Sequence, residues 1–200
     1  MPSVVPRTLS LLHGGSMLEH WQTHREGVML LNGSLEQRER TVGRSLEQAR
    51  GLGWGTYLVA DRRWYGLPAR VRQAESPPEV AAMLEALRLT MGERYAEMTR
   101  GDGSVEATTD RTPILLAVHD YGDVMACLRA SRDKGPRAIQ DLRAIAMMGR
   151  PTAISVLLSG AGNGALDRLP GIECAAETYL KDPRSRREPG RAPGRAEGLR

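Results

Sequence analysis

Short, mostly apolar runs recur along the chain at Val28–Leu31, Thr56–Ala60, Ile114–Val118 and Ala153–Leu158. Each is too short for a helix, and such runs predict strands buried on both faces, as in a parallel sheet. Between them apolar positions repeat every three or four residues. Leu35, Val42, Leu46 and Ala49 predict a helix over 35–50, ended by Gly51 and Gly53. Val80, Leu84, Leu87, Met91, Tyr95 and Met98 form one stripe of a helix running to about Arg100. Ser76, Pro77 and Glu79 supply its N-cap, its first helical position and a capping box. Ile139, Leu142, Ile145 and Met148 mark a helix opened by Gly135-Pro136. Asp123–Asp133 suits a shorter one, and residues 165–180 read as weakly helical. Strands alternating with helices predict an α/β domain with a mostly parallel sheet, and the strand–helix–strand unit from 28 to 60 calls for a right-handed crossover.

This pattern divides the chain into an N-terminal extension (1–27), an α/β domain (28–180) and a tail (181–200). Phe is absent from the 200 residues, so the core is expected to be built from Leu, Val, Ile, Met and Ala. The formal charge of +4 lies entirely in residues 181–200, an Arg/Pro/Gly-rich stretch that lacks the apolar residues for a core and is expected to be disordered. The body is formally neutral, so the high pI says nothing of a basic groove on it. Cys127 and Cys174 lack paired ligand spacing, which predicts reduced thiols in a cytoplasmic protein. No apolar run approaches the ~20 residues of a membrane span, and the N-terminus has no signal-peptide pattern.

Candidate chemistry concentrates where Ile114–Val118 ends, at His119-Asp120-Tyr121-Gly122-Asp123. Acidic groups at the C-terminal end of a central parallel strand stand where α/β sheets bind ligands. His119 could be a metal ligand or general base, or a polar cap on the strand end. Asp120 and Asp123 could hold Mg²⁺ as a carboxylate pair, or serve in a turn and a helix cap. Trp64 and Tyr65 could stack on single-stranded bases, or cover the end of the sheet. The glycine-rich loop at 160–164 could receive phosphate, but without a Lys it is a weak signal. His13, His20 and His24, with one i,i+4 pair, suit surface histidines better than a metal site.

The order of these features resembles the motor domain of the FtsK/SpoIIIE family of DNA translocases, which includes actinobacterial plasmid-transfer proteins. Strand 28–33 and its helix occupy the P-loop position. Thr56–Asp61 with the turn Arg62-Arg63-Trp64-Tyr65-Gly66 is similar to the family's second strand. Met91-Gly92-Glu93-Arg94-Tyr95 resembles "EMERRY". Ile114–Met125 resembles "VVVIDEFADLM", the Walker B strand. Ile145–Arg150 and Ile154–Leu158 are similar to "iarlGRaagIhlvla". The similarity covers roughly residues 28–160. It implies a P-loop NTPase-like (RecA-like) fold, ATP and Mg²⁺ as cofactors, and DNA as a partner. It also implies a ring assembly, as a homo-oligomer or beside an active homologue. By the same resemblance the nucleotide site would comprise Gly33, Ser34, Arg38, Arg40 and Thr41, with His119 and Asp120 at the catalytic positions.

The departures fall on those residues. A P-loop needs inner glycines to wrap phosphates, a Lys for the β/γ oxygens and a hydroxyl for Mg²⁺. Here the glycine places hold Glu36 and Arg38, and the Lys and Ser places hold Glu39 and Arg40, or Arg40 and Thr41 after a one-residue slip. His119 replaces the metal-linked Asp, and Asp120 is one methylene shorter than the usual Glu. The expectation is a degenerate member whose ATP hydrolysis is weak or lost. The alternative is a non-enzymatic interaction module or a truncated remnant, because little of what normally precedes the P-loop strand is present.

Overall fold

The computed structural model describes residues 7–9, 27–100, 111–160 and 176–179. In chain order the elements are β1 (Arg7–Leu9), β2 (Val28–Asn32), α1 (Leu35–Gly51), β3 (Gly55–Val59), β4 (Arg72–Ala74) and α2 (Pro77–Arg100). Then come β5 (Ile114–Val118), α3 (Tyr121–Ala130), α4 (Gly135–Met148), a 3₁₀ turn at Arg150–Thr152, β6 (Ile154–Gly160) and β7 (Ala176–Tyr179). The strands form one seven-stranded sheet in the order β1-β7-β2-β6-β5-β3-β4. Every pairing is parallel. This is the α/β architecture that the alternating runs predict.

The expected strands are double-faced. Leu30, Leu116, Val118, Val156 and Leu158 bury one set of side chains with Leu84 and Leu87 of α2, Val124 and Leu128 of α3, and Leu142 and Ile145 of α4. Met29, Leu31, Leu115, Ala117 and Leu157 face the other way, into a core closed by Val42, Leu46 and Ala49 of α1. Period-two alternation thus runs through segments that read as continuously apolar, because helices cover both faces.

The Glu93-Arg94-Tyr95 match fastens α2 to the N-terminal end of the sheet. Arg94 donates to the carbonyls of Thr152 (2.6 Å) and Thr112 (2.9 Å), each two residues before the start of β6 and β5. The Tyr95 hydroxyl donates to the Met148 carbonyl at the end of α4 (2.8 Å). At the start of α2, the Glu79 carboxylate accepts from the backbone N–H groups of Ser76 (3.1 Å) and Glu75 (3.2 Å). Those bonds hold its carboxyl below the ordinary range.

Three strands exceed the sequence reading. Residues 176–179 are a strand where weak helicity is expected, inserted between β1 and β2. Arg7–Leu9 joins the same sheet. Arg72–Ala74 forms the opposite edge, inside what reads as a polar connection. The fourth expected strand starts at Ile154 because Ala153 turns the chain at φ 57°. The histidines at 13, 20 and 24, Cys174, the loop from 161 and the tail lie outside the described residues.

Candidate functional site

The C-terminal ends of β2, β6 and β5 lie side by side, and their register decides which side chains meet. Asn32 pairs with Gly160, Leu31 with Ser159, and Val118 with Leu158. His119, one residue beyond Val118, therefore comes beside Ser159. The Ser159 Oγ–His119 Nδ1 distance is 2.8 Å, and both side chains are completely buried.

Asp120 follows in the left-handed region (φ 47°, ψ 54°), a conformation costly for a residue with a Cβ. The turn aims its carboxylate back over the strand ends. Oδ1 pairs with Arg38 Nη2 at 2.8 Å. Oδ2 lies 3.2 Å from His119 Nε2, without the alignment of a hydrogen bond. Arg38 stands one turn into α1 and is only 4% exposed. Its Nε and Nη1 are buried without a hydrogen-bond acceptor among the described residues.

Trp64 closes the cluster. Its indole meets the His119 ring edge-on, with centroids 4.7 Å apart and planes at 76°. Gln73 holds that turn by accepting from the Trp64 N–H and donating to the Arg62 carbonyl. Arg62 in turn pairs with Glu39 of α1. Trp64 thus covers the end of the sheet, while Tyr65 is 90% exposed.

Burial pushes the His119 imidazole below its ordinary pKa, and the Arg38 charge acts in the same direction. Asp120, Glu39 and Asp61 oppose them. A neutral ring with its proton on Nε2 turns that proton toward Asp120 and leaves Nδ1 to accept from the Ser159 hydroxyl. Ser159, His119 and Asp120 follow the order of a hydrolytic triad, but the ring-to-carboxylate leg is not aligned as a hydrogen bond. Here hydroxyl and ring are sealed from solvent, so the line acts as a buried polar strut.

At the β2–α1 junction only Gly33 and Ser34 separate strand from helix. Gly33 has φ 152°, which favours glycine. Ser34 is the N-cap of a complete capping box. Its Oγ accepts from the Gln37 N–H, and Gln37 Oε1 accepts from the Ser34 N–H. Arg40 pairs with Glu36 (2.6 Å), and the Thr41 hydroxyl donates to the Gln37 carbonyl (2.8 Å). Of the residues at the nucleotide positions, the structure joins Arg38 to Asp120 and His119 and leaves Arg40 and Thr41 bonded within their own helix. Asp123 is exposed in the first turn of α3. Among the described residues no group of three or more His, Cys, Asp or Glu side chains is placed to hold a metal.

Two contributors escape sequence reading. Ser159 reads as the first residue of a flexible loop, and only strand register reveals it as the partner of His119. The capping box is signalled by Ser34-Leu35-Glu36-Gln37, but that stretch coincides with the expected P-loop.

No protein-family model matches this sequence, and no curated protein matches it. Solved structures do. The monomer form of the pCW3 conjugation coupling protein TcpA with ATPγS superposes with a TM-score of 0.54 at 12% identity, over 68% of this chain and 43% of that one. The fold is that of the FtsK/SpoIIIE-type motor domains. EssC (ATPases 2 and 3) from Geobacillus thermodenitrificans gives a TM-score of 0.54 at 10% identity, over 78% of this chain and 33% of that one. The cytoplasmic domain of EssC gives 0.52, also at 10% identity, over 78% and 34%. This chain spans less than half the length of each neighbour. The Arg38–Asp120 pair bridges the start of α1 and the end of β5. No helix among the described residues is long and apolar enough to cross a membrane.

Proposed function

We propose that this chain is a motor-fold domain that has given up ATP hydrolysis and serves as a non-catalytic component of a DNA-transfer or segregation assembly. The observation that carries the reading is the buried Arg38–Asp120 ion pair with His119 against it. A P-loop ATPase uses this space for Mg²⁺ and the terminal phosphates, with a carboxylate open to the metal and a long backbone loop around the phosphates. Here one carboxylate oxygen is taken by a guanidinium and the other faces an imidazole. The helix N-terminus is capped by its own Ser34, with Glu36 in its first turn. These residues do not fit Mg²⁺-ATP.

What Arg38 supplies instead is an internal cation. It neutralises Asp120 and ties α1 to the end of β5, so the fold is held without the charges a bound nucleotide would bring. The DNA context rests on likeness of fold to a conjugation coupling protein. A role beside an active homologue, or in a homo-oligomer, follows from the same likeness.

The test is ATP turnover by the purified chain, with and without double-stranded DNA. Removing preorganised electrostatic groups costs roughly 10²–10³ in rate for each, so the expected result is no turnover above background in either condition. DNA-stimulated turnover would refute the reading.

A further inference from the structure

A second site lies at the opposite, N-terminal end of the sheet, where α1 ends and β3 and β4 begin. An open cleft of about 510 Å³ is lined there by Arg50, Arg70 and Arg72, with Trp54 and Tyr57 in its wall. A volume of this order suits a small organic ligand. All three arginines are exposed, and none has a carboxylate partner among the described residues. No acidic side chain lines the cleft. Seven other arginines of the described body pair with acids, whereas these three guanidinium groups stand unpaired around one hollow that no acid lines, a local excess of charge.

The backbone adds a donor. The Gly55 N–H bonds to the Pro113 carbonyl, on the β5 side. Alternation along the strand turns the Thr56 N–H the other way, toward β4. Pairing with β4 begins only at Tyr57, opposite Arg72. The chain leaves that register because Arg70 sits at φ 75°, an unfavourable conformation for Arg. The Thr56 N–H therefore points to the cleft side at a place the neighbouring strand does not reach, from a residue in the wall that is itself only 4% exposed. Arg72 lies over the Tyr57 ring, 5.6 Å from guanidinium carbon to centroid, which presents a planar cation on an aromatic support.

We propose that this cleft binds a nucleoside phosphate, its phosphate held by Arg50, Arg70 and the Thr56 N–H and its base stacked against the Arg72–Tyr57 pair or Trp54. Unpaired guanidinium groups with a free N–H recognise phosphate, and aromatic and guanidinium planes recognise a base without regard to its sequence. The site lies at the other end of the sheet from the Walker positions and needs neither Mg²⁺ nor the residues discussed there. It stands whether or not the chain hydrolyses ATP.

The experiment is calorimetric titration of the full chain at low salt without Mg²⁺, using AMP, inorganic phosphate and a short oligothymidylate in turn. Comparisons are Arg70→Gly, the double variant Arg70→Gln/Arg72→Gln, and Arg40→Ala at the far end of the sheet. Arg70→Gly removes the charge while easing the backbone, so loss of binding cannot be laid to misfolding. The expected result is binding of AMP, the oligonucleotide or both, at least about tenfold tighter than inorganic phosphate. The Arg70 and Arg72 variants should weaken it at least about tenfold, and Arg40→Ala should leave it unchanged. Binding of AMP identifies a free nucleotide as a ligand, and binding of the oligonucleotide alone identifies a strand. Phosphate binding as tightly as AMP, undiminished binding in the arginine variants, or no binding of any probe would overturn the proposal.

Discussion

His119 is held neutral in a place where protonation would be expensive. Its pKa lies below the ordinary value, chiefly because it is buried, whereas in the unfolded chain the ring titrates near pH ~6.5. Below that pH the unfolded chain binds a proton that the folded chain does not, so stability falls as pH falls; above it the group contributes nothing. Urea unfolding from about pH 7 to about pH 5 should show this decline, and His119→Gln should flatten it relative to the parent chain. An identical slope in the variant would mean that the ring is not held neutral. Its neighbour Arg38 gives a sharper test. Arg38→Ala strands the Asp120 carboxylate in a largely buried site and should cost about 3 kcal/mol. Arg38→Met with Asp120→Asn removes both charges and should recover most of that loss. Denaturant midpoints of the two variants report the difference.

At the scale of elements, α2 is fastened by the residues that match a family motif. Arg94 spans the carbonyls that precede β5 and β6, so Arg94→Ala should cost about 2–3 kcal/mol, and Tyr95→Phe about 1 kcal/mol, in thermal or urea unfolding. The motif's Arg and Tyr are therefore structural here, a role that resemblance alone could not supply. The α3–α4 turn depends on Gly135, where a Cβ would overlap the Leu128 carbonyl oxygen. Gly135→Ala should lower the melting temperature clearly, while Gly92→Ala, with open space around it, should not. The central strands and the helices α1, α2 and α4 were legible because apolar runs and stripes mark them. Arg72-Gln73-Ala74 was not, because it is a short edge strand with one buried residue and its pairing is set by β3. Residues 176–179 take strand form from β1 and β2, which local pattern does not reveal. His119, Asp120, Arg38 and Trp64 were each singled out by the sequence, but not as one cluster and not with Ser159. Closure of the site by Arg38, Ser159 and Trp64 depends on strand register and on a left-handed turn at Asp120, and neither is written in local sequence.

For the whole molecule, the sheet and its two helical layers have the architecture of a motor domain, and the C-terminal ends of β2, β5 and β6 are filled from within. The register that brings β2, β5 and β6 together assembles an ion pair, an imidazole and an indole. On the function proposed above, such a molecule offers surfaces rather than turnover, and the arginine cleft at the other end of the sheet is one of them. The most direct measurement is calorimetric titration of the purified chain with Mg²⁺-ATP, with Glu39→Lys beside it to restore the basic residue of the P-loop pattern. The account predicts no binding beyond the arginine cleft: any heat given by the natural chain should vanish in Arg70→Gln/Arg72→Gln, even over a range that would reveal weak association. Micromolar binding lost on Arg38→Met would contradict it, because the buried pair would then be part of a working phosphate site.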